Sequence, residues 1–299
     1  MNFKLLLYCA LLYGGSASAQ MTYSKVKIYT DNLGLQRLWD EGLPVDHGVI
    51  KQGEHFTTDL SNVEIRTLDS LDFAYEILVP DVIEHYQNHI LSQIAESSPR
   101  NQTCEGGQAD EIDLTPTNFL LPTTYGGFYK YAEMLTELNK MALLYPNLIS
   151  AKSGISTFVT AQNRPIYHVR ISNSPNMDNG NPRVLYSAVH HAREPLSMSQ
   201  LIFFMWYLLE NYGTNPEATF LVDNTQLFFV PCINPDGYVY NETNTPAGGG
   251  MHRKNRNPNV GTTNRGVDLN RNYSYQWGTT GISTNVNNDT YPGASAFSE

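Results

Sequence analysis

Cysteine is scarce in this 299-residue chain: there are three, and Cys9 falls inside the N-terminal apolar stretch. That leaves Cys104 and Cys232, too few for a disulfide framework or a cysteine-built zinc centre; two independently placed thiols are expected, with a single Cys104–Cys232 bridge as the alternative in an oxidising compartment. Basic residues are also few. With 19 Lys and Arg against 29 Asp and Glu the net charge is -10, which argues against nucleic acid or an anionic membrane as a partner. Long hydrophobic runs are missing as well, since Leu5 to Leu12 and Leu201 to Leu209 fall well short of the roughly 20 residues that span a bilayer. What the chain does have is core material. Its 41% hydrophobic content, with 19 tyrosines, describes a solvated globular protein, expected to be monomeric.

Composition shifts along the chain suggest four segments. Residues 1–19 carry Lys4, a short apolar stretch and the small residues Ala17-Ser18-Ala19, the pattern of a cleavable secretory signal, so a secreted or extracytoplasmic location is expected. Residues 20–95 alternate at Lys25 to Tyr29, turn to helical spacing at Leu35, Leu38 and Trp39, and place capping boxes at Ser61 to Glu64 and Asp81 to Glu84. A strand from Phe73 to Val79 completes what reads as a small α+β, ferredoxin-like module. Residues 96–117 have almost no periodicity and read as an exposed linker. From 118 to 299 the pattern is α/β. A helix face from Phe128 to Ala142 and an apolar helix from Leu196 to Tyr212 alternate with strands at Pro165 to Ser172, Arg183 to Val189 and Gln226 to Ile233. Such strands predict a mixed β-sheet flanked by helices on both faces, with a loop-like stretch after Pro235. Asn101, Asn241, Asn272 and Asn288 are formal glycosylation acceptors.

His191 and Glu194 stand three apart, where an apolar strand gives way to an apolar helix. Alone, His-x-x-Glu is a weak pattern, usually a surface histidine near a surface acid. Position strengthens it, because open α/β sheets bind ligands at strand ends, and an imidazole and a carboxylate at this spacing can converge on one metal ion. His190 would point to the other side of the strand end and reads as a buried structural residue. The few clustered arginines lie near this turn in the sequence pattern, which suits an anionic group such as a carboxylate.

Four patterns occur in order: His191-Ala192-Arg193-Glu194, Asn234-Pro235-Asp236-Gly237-Tyr238, Arg253-Lys254-Asn255-Arg256, and Gly266-Val267-Asp268-Leu269-Asn270-Arg271-Asn272. Each is weak alone. Together they resemble the HxRE, NPDGY, RKxR and GVDxNRN motifs of the zinc metallocarboxypeptidases of the carboxypeptidase A and B type, and Tyr291-Pro292-Gly293 with Phe297-Ser298-Glu299 resembles the start of that family's next motif. The resemblance implies that His191 and Glu194 bind one zinc ion and that Arg253 stabilises the oxyanion. It further implies that Asn270 and Arg271 grip the substrate's terminal carboxylate, with Arg193 contacting substrate just outside it, and that Asp268 orients His191. Asp236 and Tyr238 are taken as structural turn residues. His252 stands where the family usually has tryptophan.

The implied activity is hydrolysis of the C-terminal bond of peptides and proteins, with residues 20–95 acting as a zymogen-like prodomain. The family's third zinc ligand and catalytic glutamate have no counterpart up to Glu299, so the chain as given is expected to be an inactive, aggregation-prone fragment. Two other readings keep the fold. One is an amidohydrolase or cell-wall peptidase, and the other a non-catalytic relative that binds peptide carboxylates.

Overall fold

The computed structural model describes residues 21–96 and 115–299. The proposed signal, Cys104, Asn101 and most of the proposed linker lie outside the described residues. Where the chain resumes, Thr117 is anchored: its backbone N–H and hydroxyl both donate to Glu210.

The N-terminal segment forms β1 (Tyr23–Tyr29), α1 (Asn32–Asp40), β2 (Val49–Lys51), β3 (His55–Ser61), α2 (Asn62–Ser70), β4 (Tyr75–Val79) and α3 (Val82–Glu96). Its sheet has the order β2-β3-β1-β4 and is antiparallel throughout. Alternation in β1 and β3 buries Val26, Ile28, Phe56 and Leu60 against Leu38 of α1 and Leu68 of α2. The Ser61 capping box closes in both directions, and the Asp81 one through its cap side chain. Ser61 Oγ accepts the Glu64 N–H while Glu64 Oε2 accepts the Ser61 N–H at 2.8 Å, and Asp81 accepts the Glu84 N–H at 3.0 Å.

The second sheet, ordered β5-β6-β8-β7, is built from β5 (Ser153–Gly154), β6 (Tyr167–Ile171), β7 (Arg183–Ser187) and β8 (Gln226–Val230). It is mixed, with β6 antiparallel and β7 parallel to β8. Helices α4 (Tyr131–Leu144), α5 (Pro195–Asn211) and α6 (Pro216–Asn224) accompany it, and α5 buries Met198, Ile202, Met205, Trp206 and Leu209 in the main core. Among the described residues β7 pairs only with β8, and Val184 and Leu185 are exposed on it. No helix among the described residues is long and apolar enough to cross a membrane.

The helix face expected from Phe128 begins later, at Tyr131, after a single tight turn at Tyr125–Gly127. The stretch after Pro235, expected as loop, starts with a ten-residue helix, α7 (Pro235–Asn244). Its turn-like Asn-Pro-Asp-Gly opening is a helix start. Asn234 caps the Gly237 N–H at 3.0 Å, Pro235 fills the first helical position, and the polar remainder hid the apolar periodicity. Gly237 has no room for a side chain, because a Cβ would stand 2.4 Å from the Lys254 carbonyl oxygen.

The N-terminal segment meets the rest of the chain along residues 281–290. Tyr23 donates to Asp289, Thr290 donates to the Gly42 carbonyl, and the Gly281 N–H donates to the Trp39 carbonyl at 3.1 Å. Tyr23, Val82 and Met251 form a small apolar cluster at this junction.

Candidate active site

Backbone pairing continues past the strand ends. The Ala188 N–H donates to Val230, and the Ile233 and Asn234 N–H groups donate to Ala188 and Val189. Val189 there adopts φ 55°, an unusual conformation for a β-branched residue, and turns the chain out of the sheet immediately before His190. Glu194 then forms the N-cap of α5.

The four sequence patterns interlock at this turn. Asn234 Nδ2 donates to the carbonyls of both His190 and Arg253, at 3.2 and 3.3 Å. The Ala192 N–H donates to the Arg253 carbonyl at 3.0 Å, and the Asn255 N–H donates to the Val267 carbonyl at 3.0 Å, while Asn255 Oδ1 accepts the Val267 N–H. Residues from His190 to Val267 are thereby held in one framework of main-chain and asparagine side-chain bonds.

His191 is buried, and its Nδ1 lies 2.8 Å from Glu194 Oε1, so the two expected metal donors face each other. On the other side of the ring, Nε2 lies 3.4 Å from Asp268 Oδ1 and has no closer partner. Burial works against a charged His191 ring, but Asp268 and Glu194 outweigh it and raise the imidazole above its ordinary value. Nitrogen and oxygen are the donor types a zinc ion takes, and Nδ1 and Oε1, here hydrogen-bonded to each other, would have to part slightly to hold one. Among the described residues no group of three or more His, Cys, Asp or Glu side chains gathers to hold a metal, so the fit extends to two donors.

Asp268 is fully buried and also accepts from Arg253 Nε and Nη2, each at 2.9 Å. Burial opposes its charge, yet the Arg253 guanidinium prevails and holds the carboxyl well below the usual carboxylate range. Arg253 is fully buried too, and its Nη1 has no hydrogen-bond partner. Arg271 is anchored by Nε to the Gly281 carbonyl at 2.8 Å and lies over the Trp39 ring. Asn270 follows Asp268 in a short 3-10 turn, its N–H donating to Asp268 Oδ1 at 2.9 Å, and it is exposed.

A carboxylate already sits between these arginines. Asp46, in the loop joining α1 to β2, places Oδ2 at 3.0 Å from Arg253 Nη2 and 2.9 Å from Arg271 Nη2. Burial pushes the Asp46 carboxyl up, but His47, Arg253 and Arg271 together hold it well below the usual range. Arg193 is engaged as well: Nη1 donates to the buried Asp289 at 2.7 Å and Nη2 to His47 Nε2 at 3.2 Å. Asp46 and His47 carry no sequence pattern that points to the site, because their role exists only through contacts with residues 146 to 225 positions away.

Two sequence expectations are revised. His190 is only partly buried, and its Nε2 meets the Tyr273 hydroxyl at 2.8 Å, since the chain turns outward at Val189. Asp236 does more than shape a turn: it accepts from Thr160, Gln162 and Arg164 and ties the β5–β6 loop to α7. Tyr238 is buried and donates to the Tyr129 carbonyl at 2.6 Å, a structural role. The acceptor asparagines Asn241, Asn272 and Asn288 are all buried, with the Asn241 and Asn272 amides committed to internal carbonyls. His252, at the position expected for tryptophan, packs edge-on against Tyr240 with ring centroids 5.0 Å apart, and burial holds its pKa down to about 3. Cys232 is buried and free, and burial pushes its thiol up.

Residues 134–299 match the family model described as zinc carboxypeptidase. The chain is 35% identical over 177 residues to a zinc carboxypeptidase of Saccharothrix mutabilis subsp. capreolus, covering 58% of this chain and 39% of that protein. It is 30% identical over 232 residues to carboxypeptidase A2 of Mus musculus, covering 78% of this chain and 49% of that one. The crystal structure of carboxypeptidase A from Helicoverpa armigera superposes with a TM-score of 0.65 at 22% identity, covering 94% of this chain and 64% of that one, and so shares the fold. The chain belongs to the zinc carboxypeptidase family. It spans less than half the length of those two carboxypeptidases from Saccharothrix and Mus musculus.

Proposed function

We propose that this chain carries the first part of the active site of a secreted zinc metallocarboxypeptidase that removes C-terminal residues from peptides and proteins. One observation supports this most directly: Arg253 and Arg271 converge on a single carboxylate oxygen beside the His191–Glu194 pair. A substrate's terminal carboxylate offers the same charge and geometry as Asp46, and paired guanidinium groups suit it.

His191 and Glu194 would hold the zinc ion, which when bound supplies a Lewis acid and a water of lowered pKa. The protein's own residues then divide the remaining work. Arg271 and Asn270 bind the terminal carboxylate and fix the scissile bond. Arg253 aims its unpaired Nη1 at the charge that develops on the carbonyl oxygen, where a fixed guanidinium in a dry site is worth several kcal/mol. Asp268 holds Arg253 and faces His191 Nε2, keeping both in place. Arg193 contacts the substrate further from its C-terminus. The N-terminal segment serves as a zymogen-like prodomain, with Asp46 standing where a substrate carboxylate would bind. The leader at residues 1–19 directs export.

A second reading, a carboxylate-binding relative without turnover, is favoured by the contrast between the paired arginines and the two metal donors. Calorimetry separates the possibilities. Benzoylglycyl-phenylalanine should bind the Asp46→Ala chain and its C-terminal amide should not. Zinc uptake should be lost in His191→Ala. Equal binding of acid and amide would exclude a carboxypeptidase and favour an amidohydrolase acting on another bond.

A further inference from the structure

The contact between the N-terminal segment and the site arginines runs through a histidine, and the direction of each hydrogen bond can be assigned. Arg193 Nη2 lies 3.2 Å from His47 Nε2, and a guanidinium can only donate, so Nε2 is the acceptor. The ring proton is therefore on Nδ1, which donates to Asp46 Oδ1 at 3.1 Å. Asp46 Oδ2 accepts from Arg253 and Arg271. A neutral imidazole thus links one site arginine to the carboxylate that covers the other two.

We propose that His47 is an acid-sensitive catch: neutral, it holds Asp46 across Arg253 and Arg271, and its protonation loosens that carboxylate so that a peptide's terminal carboxylate can replace it. This rests on the carboxypeptidase reading of the arginines. A protonated ring would turn an Nε2 donor toward the Arg193 donor and set like charges against each other. Arg193 has little freedom to move away, because Nη1 is bonded to Asp289 at 2.7 Å and the guanidinium lies over the Tyr23 ring. The charged groups facing His47 are Asp46 on its own loop, Arg193 from the turn before α5 and Arg253 from the loop after α7, with Asp289 behind Arg193.

Burial lowers the docked imidazole's pKa, Asp46 opposes this, and Arg193 and Arg253 add to the lowering. The sign follows from linkage. The contact has full strength above the free imidazole's value of about 6.5 and weakens as pH falls through that value toward the docked one. Glu64 acts in the opposite sense. Fully buried at the start of α2, it is pushed up to about 7 by burial and by Asp289, so it favours docking as pH falls. The effect of His47 must therefore be read as a difference between the native chain and a His47 variant.

The test uses the full chain, His47→Gln and Asp46→Ala, with benzoylglycyl-phenylalanine as the calorimetric probe at pH 7.5 and 5.5. The ratio of affinities at pH 5.5 to pH 7.5 should be several-fold larger in the native chain than in His47→Gln, up to about tenfold for the one unit below the free pKa. Equal ratios would overturn the catch. Adding His47→Gln to Asp46→Ala should leave the ratio unchanged, since the carboxylate to be held is gone; a change there would also count against it. If the probe fails to bind Asp46→Ala at either pH, the carboxypeptidase reading fails separately. The catch is then judged by the His47 imidazole titration followed by NMR, where a pKa at or above 6.5 refutes it.

Discussion

Replacing Asp46 by alanine removes the one carboxylate that bridges Arg253 and Arg271 while leaving both arginines otherwise anchored. Arg253 keeps its two bonds to Asp268, and Arg271 keeps the Gly281 and Asn270 carbonyls, so the fold should survive. Oδ2 accepts at 3.0 and 2.9 Å, and the side chain is 25% exposed. A hydrogen bond to a charged group contributes about 1.5–3 kcal/mol, and the remaining exposure and the second partners discount the pair to about 2–3 kcal/mol in total. That free energy competes with any carboxylate entering the site, because only the fraction of molecules with Asp46 displaced can bind it. Removal should therefore tighten binding of benzoylglycyl-phenylalanine at pH 7.5 by about 30- to 140-fold. Isothermal calorimetry on the native and variant chains measures this directly. An unchanged dissociation constant would mean that Asp46 and the probe do not share a site, and the assignment of Arg271 to the substrate carboxylate would have to be given up.

Two further substitutions test the framework. Gly237→Ala should destabilise the chain by about 1–3 kcal/mol, since the added Cβ meets the Lys254 carbonyl, a main-chain atom that cannot swing aside; a urea midpoint equal to the native one would refute the close approach. Glu64 has its pKa raised by burial to about 7, so it contributes stability below its ordinary carboxyl value that is lost as pH rises through about 7. Glu64→Gln should therefore gain about 1–3 kcal/mol on the native chain between pH 5 and pH 7.5 in urea unfolding, and parallel stability curves would show that Glu64 is not buried as described.

Much of the fold was legible where burial is strong and local. The apolar run in α5 and the strand residues of β6 and β8 carry their own periodicity, and the boxes at Ser61 and Asp81 satisfy the first N–H groups of their helices from within four residues. The helix α7 was missed because its opening reads as a turn and its body is polar, so neither spacing nor composition marked it. His190 departs from the alternation of a straight strand because Val189 turns the chain just before it.

At the site the division is similar. The donor pair His191 and Glu194 could be proposed from its spacing together with its place where an apolar strand gives way to an apolar helix, because three residues across one turn bring two side chains to the same side. The roles of Arg253, Asn270, Arg271 and Asp268 could be proposed only by resemblance, since nothing in their local sequence says what they face. Asp46 and His47 could not be proposed at all. Local sequence determined the periodic elements, their caps and the His191–Glu194 turn, where the interacting groups are covalently close. The tertiary structure decided which carboxylate meets which arginine, because those charges come together only when two separate sheets pack and the burial that strengthens their pairing is created by that packing.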